Sequence, residues 1–417
     1  MTDVAAGLAE IVGAAHVVAG DAAGSYAVHG RLPRWVAFPG AAEEVGRCLA
    51  LASAHRLAVV PAGRGTRLHW GSPPRALDLV LSLRRLDRIL AHAPEDLTMS
   101  VEGGATLGAI DAYLTPRGQL LPLDPPRASG STVGGIVATA ASGPYRARYG
   151  TVRDLLLGVT VALADGRLVK GGGVVVKNVT GYDVPKLHVG ALGTLGVVVT
   201  AHLRLHPRPA ETATWLFQFA SAEAALEAAL GVMDAPVVVS RLQLVGGTTL
   251  GVAVGSVREG VRAQGARIAD IVARGGGALR AVDGPDAWWT EAGELGWPDG
   301  AESLTLRIGV RPTDVVKALR ALEVVAGGPG ATTTEVANGV LHARLDRPAD
   351  PATLVARLRD ALAALDASCV VEHAPAGAPA PLDVWGDVGA ALEPMRRLKA
   401  ELDPLGILSP GRYVGGI

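Results

Sequence analysis

An apolar run that empties into a glycine turn is the feature that most restricts this chain. Leu57–Val60 reads as a short buried strand and is followed at once by Pro61-Ala62-Gly63-Arg64-Gly65-Thr66. Glycines at such a junction let backbone N–H groups approach anionic oxygens with no Cβ in the way. Two nucleotide schemes are excluded. The dinucleotide fingerprint needs a third glycine and a helix behind it. Here the third position is Leu68, and Trp70-Gly71-Ser72-Pro73-Pro74 cannot propagate a helix. The Walker scheme needs Gly-Lys-Ser/Thr, which does not follow. Taken by itself, the loop reads equally well as a plain glycine turn.

Two more segments of small residues change that balance. Pro122-Leu123-Asp124-Pro125-Pro126 leads through Ser129-Gly130-Ser131-Thr132-Val133-Gly134-Gly135 to Ala138–Gly143. That composition suits an extended backbone lying against a flat ligand. Further on, Lys177-Asn178, Gly181-Tyr182-Asp183 and Gly190-Ala191-Leu192-Gly193-Thr194-Leu195-Gly196 run straight into a strand at Val197–Leu205. There Val197, Val199, Ala201, Leu203 and Leu205 share one face by period two.

This ordered set resembles the vanillyl-alcohol-oxidase-like flavoproteins with a PCMH-type FAD-binding domain. The tail, Leu402-Asp403-Pro404 with Ile407-Leu408-Ser409-Pro410-Gly411-Arg412, is most similar to FAD-binding subunits of glycolate oxidases. The resemblance implies an α+β chain in three parts. A two-subdomain FAD-binding domain spans 1–206. An antiparallel α+β cap covers 207–388. The C-terminal helix and tail, 389–417, return to the flavin. It further implies noncovalent FAD, with the pyrophosphate wrapped by Pro61, Ala62, Gly63, Arg64, Gly65 and Thr66. The flavin and ribityl would follow Asp124, Ser131, Thr132, Gly134 and Gly135. Gly193, Val197 and Val198 would meet the cofactor's edge, with Lys177 at a phosphate and Arg412 at the flavin. The family usually carries Asn where Ser409 stands. Thr66 occupies the place of the His that binds flavin covalently in some relatives.

Local patterns agree with an α/β opening and a different second half. Glu43–His55 has a helical stripe of Val45, Leu49 and Ala52; Leu107–Leu114 is a second helix, limited by Pro116. Asp165-Gly166 turns a hairpin between Leu155–Leu163 and Arg167–Lys170. Residues 118–144 read as irregular. From Thr212 to about Val384, strands alternate with Ala-rich helices.

Composition narrows the function class. Thirty-nine basic residues nearly balance 40 acidic ones, which argues against a nucleic-acid footprint. Two cysteines, Cys48 and Cys369, are too few to ligate an iron–sulfur cluster. No apolar run of 18 residues occurs and the first ten residues lack a basic n-region. The expected setting is cytoplasmic, with peripheral inner-membrane attachment through a complex.

Catalytic chemistry is less legible. Related D-2-hydroxy-acid dehydrogenases carry a metal-supporting His/Glu cluster in the cap, but no His occurs here from 207 to 341. His202 and His206 lie about 13 Å apart along a strand at ~3.3 Å per residue, too far for one ion. His342 and Glu372-His373 remain, so no metal is expected. His373 is the weak candidate for the catalytic base. The implied reaction is oxidation of a small 2-hydroxy acid such as glycolate or D-lactate by hydride transfer to flavin. Electrons would pass to partners, a second FAD subunit and an iron–sulfur subunit. Two other readings stand beside it: an accessory FAD subunit whose sister flavoprotein does the chemistry, and a sugar or alditol oxidase. Trp288-Trp289 reads as cap core, and Arg146 and Arg148 as solvated loop charges.

Overall fold

A computed structural model describes residues 2–173, 183–280, 284–298, 300–375 and 382–417. Lys177, Asn178, Gly181 and Tyr182 lie outside them. The chain opens with α1 (Thr2–Val12), β1 (Val17–Ala19), β2 (Trp35–Ala37), α2 (Ala42–Ala54), β3 (Val59–Ala62) and β4 (Leu79–Ser82). The four strands form one sheet in the order β1-β2-β4-β3, with β2 and β3 both parallel to β4. Helix α2 buries Val45, Cys48, Leu49 and Ala52 against this sheet, the stripe its periodicity predicts. Pro61 does not stop β3 but pairs with Leu81 inside it. Proline is tolerated there because β3 ends the sheet and needs no donor on its outer side.

A second subdomain follows, built on β5 (Ile89–Ala93), β6 (Thr98–Glu102), α3 (Leu107–Leu114), β7 (Gln119–Leu120), α4 (Val133–Thr139), α5 (Arg146–Tyr149), α6 (Val152–Leu155), β8 (Leu156–Ala162), β9 (Leu168–Gly172), β10 (Val197–Arg204) and β11 (His206–Pro207). Its five-stranded antiparallel sheet runs β5-β6-β10-β8-β9. Central β10 buries Val197, Val199, Ala201 and Leu203. The stretch read as irregular contains α4, capped by Thr132, whose Oγ1 accepts the Gly135 N–H at 3.2 Å. Val133, Ile136 and Val137 do stand at helical spacing and are buried, but the helix is only seven residues long and has two glycines in its first turn, which favour a loop reading.

The third unit carries β12 (Glu211–Gln218), α7 (Ala222–Asp234), β13 (Val239–Val245), β14 (Thr249–Ser256), α8 (Arg258–Arg274), β15 (Ala278–Arg280), α9 (Pro285–Glu294), β16 (Ser303–Gly309), α10 (Val315–Ala326), β17 (Ala331–Glu335), β18 (Val340–Asp346), α11 (Pro351–Leu362) and β19 (Ser368–His373). All eight strands pair antiparallel in the order β15-β12-β14-β13-β17-β18-β16-β19. Helices α7, α8, α10 and α11 share one core with this sheet. The sheet's polar residues meet the first two units: Arg241 on β13 bonds Asp124 at 3.1 Å. The Trp pair divides its duties. Trp288 packs on Gly251 of β14, while the Trp289 indole N–H donates to Thr214 Oγ1 at 3.0 Å.

Helix α12 (Leu392–Leu402) leads into the tail. Leu408 lies parallel to Val59, with Val59 N–H on Ile407 O and Ser409 N–H on Val59 O, both 2.8 Å. The tail thus covers the open edge of β3, so an element some 350 residues away completes the first sheet.

Candidate cofactor and substrate site

The site grows from the end of β3. Among the described residues, no protein acceptor pairs with the backbone N–H groups of Gly63, Arg64, Gly65 or Thr66. Four successive free donors in one turn form an anion-binding concavity. Gly65 holds a left-handed φ of +78°. A Cβ on Gly63 would overlap Thr132 Oγ1, and one on Gly193 would stand 2.6 Å from Pro61. The three small-residue segments therefore touch one another through their missing side chains. A cleft of about 60 Å³ runs among them, lined by Pro61–Gly63, Thr132, Gly134, Gly193 and Val197–Val198.

The second segment plays a different part from the first. Gly134 N–H donates to Gly103 O at 2.7 Å and Val133 N–H to Ala105 O at 2.9 Å. Ser131 Oγ is held by Arg67 at 2.6 Å. Asp124 Oδ1 accepts the Tyr145 N–H at 2.9 Å and Oδ2 accepts from Arg241. These groups fix the loop and bind the cap, so Asp124 sits in the inter-unit joint with both oxygens engaged.

Arg67, which the sequence reading passed over, sits at the centre. It is buried, donates to Ser131 Oγ and Pro126 O, and lies over the rings of Trp70 and Trp297. Burial pulls its guanidinium down to about 10. Arg412 arrives from the tail, 3% exposed. Its Nη2 clasps Leu68 O at 2.7 Å and Trp70 O, closing the loop behind the turn. Neither arginine has a carboxylate within ion-pair distance among the described residues. Unpaired cations are costly to bury.

The residues present fit FAD. Arg67 Nε, Trp70 Nε1, Ser409 Oγ and Arg412 Nε are buried without partners beside the free N–H turn. An acceptor-rich, anionic group answers both the surplus donors and the surplus positive charge. Ser409, at φ +43°, holds a backbone conformation that Asn adopts more readily.

A second cavity, about 70 Å³, lies where cap and loops meet. Trp70, Ala140, Arg146, Arg307, His342 and Glu372 line it. Arg146 thus faces a cavity, whereas Arg148 lies on Tyr149. Arg307 Nε donates to Glu372 Oε1 at 3.1 Å. His342 stands between Glu372 Oε2 at 3.4 Å and Glu335 Oε1 at 3.9 Å. Burial opposes its charge, but the two carboxylates prevail and raise its pKa. Burial raises the pKa of Glu335, while His342 and Arg307 hold Glu372 low against its burial. Glu335 and Arg307 carried no sequence signal: β16 reads as an ordinary strand, and β17, with its run of three threonines, does not stand out as a strand at all.

His373 leaves this cluster. Its ring packs on His69, 5.5 Å between centroids, and His69 packs on Trp297 at 4.9 Å. Burial lowers both pKa values, that of His69 to about 3. His373 is therefore neutral, with Nε2 unpartnered. His202 bonds Ser100 at 2.7 Å and His206 packs on Tyr149, so each has a separate partner.

Comparison with known proteins fits this geometry. The FAD binding domain model matches residues 33–172, and the C-terminal domain model of FAD linked oxidases matches 311–413. The chain thus carries both an FAD binding domain and the C-terminal domain of FAD linked oxidases. Glycolate oxidase subunit GlcD of Bacillus subtilis is 34% identical over 220 residues, 52% of this chain and 47% of that protein. A probable mitochondrial D-lactate dehydrogenase of Danio rerio is 32% identical over 51% of this chain and 43% of its own length. The chain thus aligns with under half the length of these two relatives. Among solved structures, p-cresol methylhydroxylase with substrate bound superposes with a TM-score of 0.79 at 16% identity, covering 99% of this chain and 96% of that one. That likeness shows the fold: a PCMH-type α+β architecture. No helix among the described residues is long and apolar enough to cross a membrane.

Proposed function

We propose that this chain oxidises a 2-hydroxy acid as a subunit of a glycolate-oxidase-like complex. The observation that carries the reading is the small cavity beside the glycine loops, where Arg146, Arg307 and a charge-prone His342 gather around one lining carboxylate, Glu372, with Glu335 behind His342. Its surplus positive charge suits an anionic substrate head. Bound FAD would supply the two-electron acceptor. The substrate carbon bearing the hydroxyl loses a hydride, the hydroxyl loses its proton, and a 2-oxo acid results. His373, with Nε2 unpartnered, is kept as the candidate base for that proton; its ring packs on His69 beside the small cavity and does not line it, so a shift of the ring would have to bring Nε2 to the substrate. His342, tied between two carboxylates, serves as a positive strut instead. With two buried thiols as its only cysteines, the chain hands the electrons to a partner subunit, of the iron–sulfur type.

Arg307 is already bonded to Glu372, and this favours a second reading, an accessory FAD subunit beside a catalytic sister. The test is direct. The purified chain is loaded with FAD, and glycolate or D-lactate is added without oxygen. Bleaching near 450 nm supports the catalytic reading. Bound flavin that stays yellow supports the accessory one. A protein that takes up no FAD refutes both.

A further inference from the structure

The small cavity adjoins another space. Pro126 and Gly293 line it and also line a second, larger space of about 670 Å³. This space opens between the second loop and the cap helix α9. Its size falls within the ~300–1,000 Å³ range of small-molecule sites.

Charge distinguishes the two cavities. The large one carries three ion pairs, Arg127–Glu294, Arg208–Asp111 and Arg241–Asp124, plus the unpaired Asp286. Three arginines against four acids leave a formal charge of −1. The small cavity has two arginines against Glu372, before His342 is counted. An anion is therefore drawn to the small cavity and repelled by the large one. The walls of the large space are mixed, polar groups taking as much of them as apolar ones; the apolar part is Leu107, Ile110, Leu121 and Leu123, with the rings of Tyr145 and Trp289. The Arg241 guanidinium lies 3.9 Å from the Tyr145 ring centroid, so its charge is already covered by a ring and by Asp124. The small cavity has the volume of about two waters at ~30 Å³ each, enough for a carboxylate and its hydroxyl-bearing carbon.

We propose that the substrate is a monocarboxylic 2-hydroxy acid with a long apolar or aromatic tail, its head in the small cavity and its tail in the large one. The proposal rests on the reading that the small cavity takes a 2-hydroxy acid. Glycolate would leave the large space unused, and a second carboxylate on the tail would meet its acids.

The test uses the FAD-loaded protein and the rate of anaerobic bleaching. Glycolate, lactate, 2-hydroxyoctanoate, 3-phenyllactate and 2-hydroxyglutarate are compared. The second-order rate constant should rise by up to about fourfold per added methylene, with 2-hydroxyglutarate below 2-hydroxyoctanoate. Binding is read separately by thermal shift with octanoate and 3-phenylpropanoate, which carry the tail but no hydroxyl. Thr290→Trp, on an exposed position of α9 that lines only the large space, should cut the 2-hydroxyoctanoate-to-lactate ratio at least tenfold and abolish the octanoate shift. Ser129→Trp, exposed on the facing loop and lining only the large space, gives a second plug. Glycolate reacting fastest, or ratios unmoved by both plugs, would overturn the proposal and leave the 2-hydroxy-acid reading standing. Octanoate shifts that vanish in Thr290→Trp, with no acid bleaching the flavin, would support the tail cavity and sink the hydroxy-acid chemistry.

Discussion

Asp403 should be the most costly single side chain to remove in the tail. Its carboxylate is fully buried and its partner Lys399 is 12% exposed, with Nζ and Oδ2 2.6 Å apart. Oδ1 also accepts the Ile407 N–H at 3.0 Å, and Oδ2 the Leu408 N–H at 2.8 Å. Lys399 donates besides to Thr194 O and Leu408 O, both at 2.8 Å. One ion pair thus ties α12, the tail strand on β3 and the 191–196 turn together. Removing one member of a buried pair costs about 3–5 kcal/mol, because the other charge stays behind uncompensated. Two stranded N–H groups add about 1 kcal/mol each, partly overlapping with that figure. Asp403→Ala should therefore lose about 4–6 kcal/mol, or a fall in Tm of about 10 °C or more for a unit of this size. Urea denaturation measures it on the apoprotein, followed by tryptophan fluorescence. Lys399→Met on the Asp403→Ala background removes the orphaned cation and should recover about 2 kcal/mol as coupling in a double-mutant cycle. FAD affinity should fall at least tenfold, since the tail that carries Ser409 and Arg412 is released. A loss below 1 kcal/mol, or strict additivity in the cycle, would refute the claim that this pair fastens the tail.

Gly63→Ala should fold, by circular dichroism, yet bind FAD at least tenfold more weakly in a fluorescence titration, because its Cβ overlaps Thr132 Oγ1; unchanged affinity would show that the loop contact is not used. His342 makes stability pH-dependent. Its folded pKa lies above the unfolded value of 6.5, so its stabilisation is complete below pH 6.5 and is lost as pH rises through the folded pKa. His342→Gln should flatten that part of the curve of urea midpoint against pH, and an unchanged slope would assign the effect elsewhere. Cys48 and Cys369 have thiols pushed up by burial to about 12 and 11. Neither should react with Ellman's reagent at pH 8 until denaturant is added, and prompt labelling of the native protein would contradict their burial.

Legibility in the sequence followed the range of the interaction. The glycine turn after β3, the α2 stripe and the alternation of β10 could all be read, because each is enforced by residues a few positions apart. Thr132 and its neighbours read as a loop, since the apolar face of Val133, Ile136 and Val137 spans barely two turns and is interrupted by Gly134 and Gly135. Asp124 reads as part of a cofactor-lining segment, but its partner Arg241 lies 117 residues on, and nothing local shows that its carboxylate joins two units. Glu335, Arg307 and Arg67 carried no signal at all, because their meaning arises only when strands β16, β17 and β18 are laid side by side facing the loops.

By itself the sequence determined the local backbone: where glycine must stand, where strands end in turns, and which faces are apolar. It also determined that at most two thiols are available. The tertiary structure alone decided the charge of the site. Arg67, Arg412, Arg307 and His342 come from the first loop, the tail and two cap strands. Their fields add only when burial brings them together away from water, and burial, unlike turn chemistry, belongs to the whole fold.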